Sequence, residues 1–509
     1  MAPYTSAPQA PDPFTATRTR MEEMLAHLSA PAMASATAEG LEDYITAAGR
    51  EVLRQMLQDQ LDARAAAEVR VEVVTGSDAV VRPRAERGHR RLLATTLGRV
   101  EATRIAYRAP GAANLHPGDA ALALPRQVYS YPLQRAVALE VAETPLRRAG
   151  AHLERTTGGR LGTRQLMEIA CRIAAHIPAF YQQDVPAPAW AIGSEGDRLL
   201  VLSCDATGVN MIPSDLREPV RAARAADGPQ PPSAQLSSRE HTGRRRMATV
   251  FAVYDADPVP RTGADVLPVT AAERAARTHG PRARGRHLEG SLERSTAAMV
   301  TAMFDHAEQR DPDHRRRWIV LVDGANHQLE CIAREAAARG VHVDTIVDIV
   351  PVIEYLWRAA EDLHPGHAAR AAWVADAART VLDGHSPRVV AALRQHLRTR
   401  PDDDAKQLPA VARTAAYLQA KEPYLRYHLA LAMGWPIATG VIEGSCRFLV
   451  KDRLDATGAR WSLTGAEAVL LLRAVIDNGD FERYWRYFTE LDHLHTHAVR
   501  YQGQLVLAA

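Results

Sequence analysis

LLVLSCDATGV (199–209) holds the deciding pattern of this sequence: four apolar residues in unbroken succession, then Ser203, Cys204 and Asp205. RRWIVLVDGANHQ (316–328) repeats it, with the run Trp318 to Val322 closing on Asp323. Continuous rather than alternating apolar residues belong to strands covered on both faces. Both runs therefore read as neighbouring, parallel, central strands. Ligands of such sheets gather at the carboxyl ends of the strands. An ionised carboxylate there is costly unless it is paired or bound to a cation, so Asp205 and Asp323 together suit a shared metal ion. The competing reading makes each a turn cap, Asp205 ahead of Thr207-Gly208 and Asp323 ahead of Gly324-Ala325.

The flanking sequence extends this picture. MATVFAVY (247–254) is rich in strand formers, and Val341 to Ile346 reads as another strand. Helical patterns fill 288–309 and 325–339. Strands mixed with helices predict an α/β or α+β domain over 191–349. Past Asp348 the pattern is helical for nearly a hundred residues, which predicts a helical insertion at 350–440. Residues 441–490 return as a second, helix-rich part of the same domain. Upstream, 1–38 reads as a disordered tail. Residues 39–190 read as a helical region carrying two short strands about Gly98. Its helices on either side of Thr157 to Gly162 suggest a helix-turn-helix, with a plain helical hairpin as the alternative. Residues 491–509 read as a C-terminal tail.

Composition narrows the function classes. A length of 509 residues suggests about three domains. With 46% hydrophobic and 24% charged residues, the chain is that of a folded protein. No run approaches the roughly 20 apolar residues of a membrane helix. The first residues lack the apolar core of a secretory leader, so the expected place is the cytoplasm. Cys171, Cys204, Cys331 and Cys446 lie far apart and form no C-x-x-C pair, which leaves no zinc ribbon or dithiol motif. The net charge of +2 does not announce a nucleic-acid binder. Of the 62 basic residues, however, all but Lys406, Lys421 and Lys451 are arginine. Arginine suits bidentate phosphate contacts, although a GC-rich coding sequence produces the same bias.

A pair of magnesium ions would need a third acid. Glu443, in TGVIEGSCRFLVKDR (439–453), starts a predicted helix near Gly440. An acid there also complements the helix dipole and stands four residues before Arg447, the favourable order for an ion pair. Pattern alone does not prefer Glu443 over Glu354 or Asp348.

Five segments together resemble the bacterial insertion-sequence transposases of the ISKra family. They are SCDATGV (203–209), GRRRMATVFAVYD (243–255), RRWIVLVDGANHQ (316–328), DIVPVIEYLWRAA (348–360) and TGVIEGSCRFLVKDRLDATGARWSLTGAEAVLLLRA (439–474). NGDFERYWRYF (478–488) agrees with them, and the resemblance runs from about Gly88 to Phe488. It implies a DDE transposase with an RNase H-like catalytic domain, interrupted by an all-helical insertion and preceded by a mostly helical DNA-binding region. In that fold the first aspartate lies on the first strand, the second follows the fourth strand, and the glutamate lies on a later helix. Carried over by motif, Asp205, Asp323 and Glu443 are the catalytic and metal-binding triad for two Mg2+ (or Mn2+) ions. Members of the family often carry zinc-type cysteine pairs near the two-strand segment. Here RPRAERGHRRLL (82–93) and the loop after Tyr107 have no cysteine, so no zinc is expected.

The implied partner is double-stranded DNA, at element ends and at target. The implied assembly is a homodimer or larger oligomer on DNA, with no membrane partner. Candidate DNA contacts are Arg244, Arg245 and Arg246, then Arg447, Lys451, Arg453 and Arg460 beyond Glu443, with Trp461 as a base-stacking residue. Further candidates are Arg239, Arg282, Arg284, Arg286 with His287, and Arg315 to Arg317; for any cluster the alternative is a solvated surface. Trp357 is a second stacking candidate. Asn326 and His327 stand close after Asp323, and Asp452 and Asp455 are reserve acids. Two other readings remain open: a metal-dependent nuclease or resolvase without strand transfer, and a non-catalytic, domesticated DNA-binding protein.

Overall fold

The computed structural model describes residues 12–183, 198–216, 221–222, 245–399, 409–455 and 458–501. The chain divides into two compact units, one of Met1–Phe180 with Asp480–Ala509 and the other of Tyr181–Gly479.

In the first unit, helices Thr15–Leu28 and Ala38–Ala67 pack as a hairpin. Buried Asp59 fastens it by accepting from Thr17 N at 2.9 Å and Thr17 Oγ1 at 2.7 Å. The expected disordered tail over 1–38 is thus corrected from Asp12 onward, because Thr17 has a buried partner that local composition does not reveal. Two-residue strands β1 (Val74–Thr75) and β2 (Val81–Arg82) pair antiparallel. The expected strands about Gly98 are a longer hairpin, β3 (Arg84–Thr95) and β4 (Gly98–Arg108). Helices Leu146–Thr157 and Thr163–Ala174 flank the expected break, where Gly158 ends the first of them at φ 69°, a conformation that favours glycine. Helix Phe481–Thr496 returns to this unit: Tyr484 and Phe488 are buried, and the Tyr131 hydroxyl donates to Asp492 at 2.7 Å. The C-terminal segment is ordered through buried Tyr501, which corrects the tail expected from 491 as far as that residue.

The second unit is mixed α+β. Among the described residues its strands are β5 (Leu199–Asn210), β6 (Arg245–Ala256), β7 (Ala283–Ser291), β8 (Arg317–Val322) and β9 (Val343–Val347). They lie in the order β7-β6-β5-β8-β9. β5, β8 and β9 run parallel, while β6 is antiparallel to both β5 and β7. The two apolar runs are therefore adjacent, parallel and central. Helices Thr296–Arg310 and Asn326–Arg339 cover one face, where Leu200, Leu202, Phe251, Met303, Phe304, Trp318 and Val320 form a closed core. Between 350 and 440 the described regular structure is helical, from Ile349–Leu363 through Pro409–Lys421 to Tyr427–Ala432. It is tied to the sheet where the buried Tyr427 hydroxyl donates to Val347 O at 2.7 Å. Helix Leu463–Asp477 packs against β7. Among the described residues no helix is long and apolar enough to cross a membrane.

Candidate active site

Strand register builds the site. β5 pairs with β8 up to Ser203↔Leu321, and β8 pairs with β9 up to Val322↔Val347. Continued one or two residues, the same register sets Asp205 beside Asp323 and Asp323 beside Asp348. The Asp348 N–H donates to Val322 O at 2.8 Å, which carries the register to that residue. The register thus brings to one level Asp205 within β5 and Asp323 and Asp348 immediately after β8 and β9. Asp205 is not at a strand terminus, as the sequence suggested. β5 runs on to Asn210 because β6 keeps pairing with it as far as Asn210↔Arg245, whereas β8 stops at Val322.

Asp205 is half-buried, and its carboxylate accepts from Ala206 N at 2.6 Å. Burial pushes its pKa up and the neighbouring Asp323 charge adds to the rise. A hydrogen bond from the Cys446 thiol and the charge of Lys451 oppose it. Burial and the same contact push the Cys446 thiol well up, so it stays protonated as a donor. Asp323 is exposed and accepts from Ala325 N at 3.1 Å, as a turn cap does. Gly324 follows at φ +92°, where an added Cβ would sit 3.1 Å from Val347. Only glycine serves that turn without strain. Asp348 is fully buried. It accepts from Val350 N at 2.7 Å, from Thr439 N at 2.8 Å and from the Thr439 hydroxyl.

Glu443 lies in the first turn of helix Gly440–Cys446, exposed, with Oε1 3.2 Å from the Thr439 hydroxyl. One turn on, Cys446 rather than Glu443 touches Asp205. Among the described residues no group of three or more His, Cys, Asp or Glu side chains is placed to hold a metal ion. The structure brings Asp205 and Asp323 together and leaves Glu443 outside the pair. Two like charges that raise a carboxylate pKa are a place where a cation is favoured, so the pair itself fits a hard, oxygen-seeking ion.

Two of the chain's three lysines flank this pair. Lys451 acts on Asp205. Lys421, only 6% exposed, donates to Asn326 Oδ1 and lies near enough to Asp323 for its charge to be felt. The sequence reading passed over Lys421 and Cys446, and it named Asp348 only as an alternative. The rarity of lysine in an arginine-rich chain was the one signal that pointed to Lys421.

The other candidates separate clearly. Arg239 and Arg244 lie outside the described residues. Arg245 is exposed and pairs with Asp455 at 3.4 Å, and Arg246 donates to Leu292 O at 2.8 Å. Arg447 is exposed and pairs with Asp452 at 3.7 Å. Lys451 and Arg460 are exposed. Arg453 and Trp461 require correction as DNA contacts: both are buried, with the guanidinium 4.8 Å from the indole centroid. The Trp461 ring donates to Leu454 O at 2.9 Å, and its backbone N–H donates to Asn210 O. It packs as core and offers no free face to a base. Trp357 is half-buried against His367.

Arg284 and Arg286 pair with Asp257 and Asp477, and His287 is buried. Arg282 is exposed. Arg315 pairs with Asp313, while Arg316 and Arg317 pair with Asp255 and Asp344. Arg315 and Arg316 precede β8 and Arg317 opens it, at the opposite end of the strand from Asp323. His327 is exposed, with its Nε2 3.9 Å from Cys331 Sγ. Asp455 accepts from Asn210 at 3.1 Å. No protein-family model matches the chain, and a search of curated proteins finds no match.

Proposed function

We propose that this protein is a DDE-type DNA transposase, which cuts DNA and transfers the cut strand through a catalytic domain of RNase H-like fold. The observation that carries the reading is the placement of two acids. Asp205 lies on the first strand of the five-stranded sheet and Asp323 directly follows the fourth, on neighbouring parallel strands. Glu443 lies on a later helix, beyond a helical stretch, in the order that fold requires.

Asp205 and Asp323 would hold the divalent ions, with Glu443 as the third ligand. When bound, two such ions stabilise the attacking and leaving oxygens of an in-line displacement at phosphorus. Water attacks the phosphodiester, and the bond to the 3′ oxygen breaks to leave a 3′-hydroxyl. That hydroxyl then attacks a target phosphodiester, joining the strands and releasing a target 3′-hydroxyl. Neither step needs a covalent bond to the protein. The chain supplies positioning and charge: Lys451 stands at the Asp205 side and Lys421 at the Asp323 side, where cations offset phosphate charge. Exposed Arg245, Arg447 and Arg460 offer contacts to the DNA backbone.

The exposed position of Glu443 favours a second reading, a DNA-binding protein without catalysis. The deciding assay uses DNA bearing the flanks of the coding sequence, with magnesium or manganese, and compares wild type with Glu443→Gln. Transposase activity gives joined products and a free 3′-hydroxyl, abolished in the variant while folding and DNA binding persist. Cut but unjoined DNA would indicate a nuclease. Binding without any cut would establish the second reading.

A further inference from the structure

In the first unit, β3, the loop after β4 and the C-terminal segment enclose a pocket of about 60 Å³. Its charge is unbalanced. Asp119 is shared between Arg104 Nε at 2.6 Å and Arg91 Nη1 at 3.3 Å. Arg126 and Arg500 also line the pocket, and neither forms an ion pair among the described residues. Three polar atoms on the lining are buried and lack a hydrogen-bond partner: Thr496 Oγ1, His116 Nε2 and Asp119 Oδ1, the last of which is held in the ion pair with Arg104. Thr496 is 6% exposed, so its hydroxyl cannot turn to bulk water. A buried polar group without a partner is destabilising, and Thr496 Oγ1 and His116 Nε2 facing one cationic space call for a shared acceptor.

We propose that this pocket is a binding site for a phosphate group. A tetrahedral oxyanion accepts several hydrogen bonds from different directions and answers an excess of guanidinium charge. The pocket exceeds the roughly 10–15 Å³ that a single water needs, and its lining is predominantly polar and cationic, which suits a phosphate. Burial, and then the Arg104 charge, push the His116 imidazole pKa down, which agrees with a positive local potential. Other charged or titratable groups facing that ring are Asp119, His89 and Arg500. The phosphate is either free in solution or part of a nucleic-acid backbone. The assignment does not depend on the transposase reading, since it concerns a different unit and no cleavage is measured.

The test uses the full chain and inorganic phosphate, against chloride at equal ionic strength. Phosphate should raise the melting temperature of wild type, broaden its own 31P resonance, and raise the pH at which the His116 ring proton resonance titrates. Arg126→Gln with Arg500→Gln, both exposed positions, should remove all three effects without loss of folding. Thr496→Val keeps the shape and removes one donor, so affinity should fall about tenfold or more. Competition with duplex DNA distinguishes the sources. Displacement of the 31P signal identifies a backbone phosphate, persistence identifies a free one, and either leaves the site standing. Phosphate stabilises folded proteins generally by exclusion. Equal stabilisation of wild type and the double variant, with an unmoved His116 titration, would overturn the proposal and leave water in the pocket.

Discussion

Asp205→Asn should make the protein more stable at neutral pH. Asp205 and Asp323 continue the register of adjacent strands, which lie about 4.8 Å apart. Two unit charges at roughly 5 Å repel by about 3 kcal/mol at an effective dielectric of 20 and about 1 kcal/mol in water. Asp205 is half-buried and Asp323 exposed, so the lower end applies, about 1 kcal/mol. For the Tyr181–Gly479 unit, at about 2.1 cal/mol/K of unfolding entropy per residue, that is a rise in Tm of roughly 1.5–2 °C. Burial and the Asp323 charge raise the folded-state pKa of Asp205 above its usual 3.8. The folded protein therefore keeps this proton to higher pH than the unfolded chain does. Stability is lost as pH climbs from the unfolded value through the folded one. The advantage of Asn should be full at pH 7 and vanish toward pH 4. Millimolar magnesium should narrow it by stabilising wild type alone. Melting curves from pH 4 to 8, with and without magnesium, measure all of this. An Asn variant that melts at or below wild type at pH 7, with no dependence on pH, would refute the account of the pair.

Asp348→Ala should cost about 3 kcal/mol or more in urea unfolding, because Val350 N and the Thr439 N–H and hydroxyl lose a buried acceptor; a loss under about 1 kcal/mol would mean that water replaces the carboxylate. Trp461→Ala should cost about 3–5 kcal/mol and leave DNA affinity per folded molecule unchanged, whereas a selective loss of affinity would restore the stacking role. His306 stacks on His287 at 3.7 Å, accepts from Arg310 at 3.1 Å, and has a pKa pushed well below 6.5 by burial and by the charges of His287 and Arg310. The unfolded chain takes up that proton first, so stability should fall by up to about 1.4 kcal/mol per pH unit below about 6.5, and His306→Gln should flatten that limb.

The sheet was legible because its strands state their burial in composition. LLVL and WIVLV are apolar throughout, and in the structure Leu200 to Leu202 and Trp318 to Val322 are fully buried. The 118-residue offset between Asp205 and Asp323 is also the register offset of β5 against β8, as in Leu199↔Arg317. The same offset logic applied to β9 finds Asp348, but only once the strand is known to pair, and a five-residue strand announces no partner. Burial of single side chains was less legible. Arg453 and Trp461 lie in a segment full of charged residues, and what buries them is a backbone bridge from Trp461 to Met211, 250 residues earlier in the chain. Thr17 was hidden in the same way, its partner Asp59 being a helix away.

The least legible feature is the face that the Glu443 helix presents to Asp205. Residues 443 and 446 differ by about 60° around an α-helix, and 443 and 447 by about 40°. All three read as one face, and amphipathic pattern cannot choose among them. The choice is made further along, where Arg447–Lys451 is a π-helical turn. A π-turn inserts one residue and so offsets the helix before it by about 100° against the helix after it. The later part is anchored: Leu449, Val450, Arg453 and Leu454 are buried, and Arg453 is stacked on Trp461. With that end fixed, the turn sets the rotation of Gly440–Cys446, and in this structure it sets Cys446 toward Asp205 and Glu443 toward Thr439. An extra backbone residue within an unbroken helical run leaves no mark in composition or spacing. Resemblance proposes Glu443 as the third acid, while the orientation of its side chain comes only from the fold.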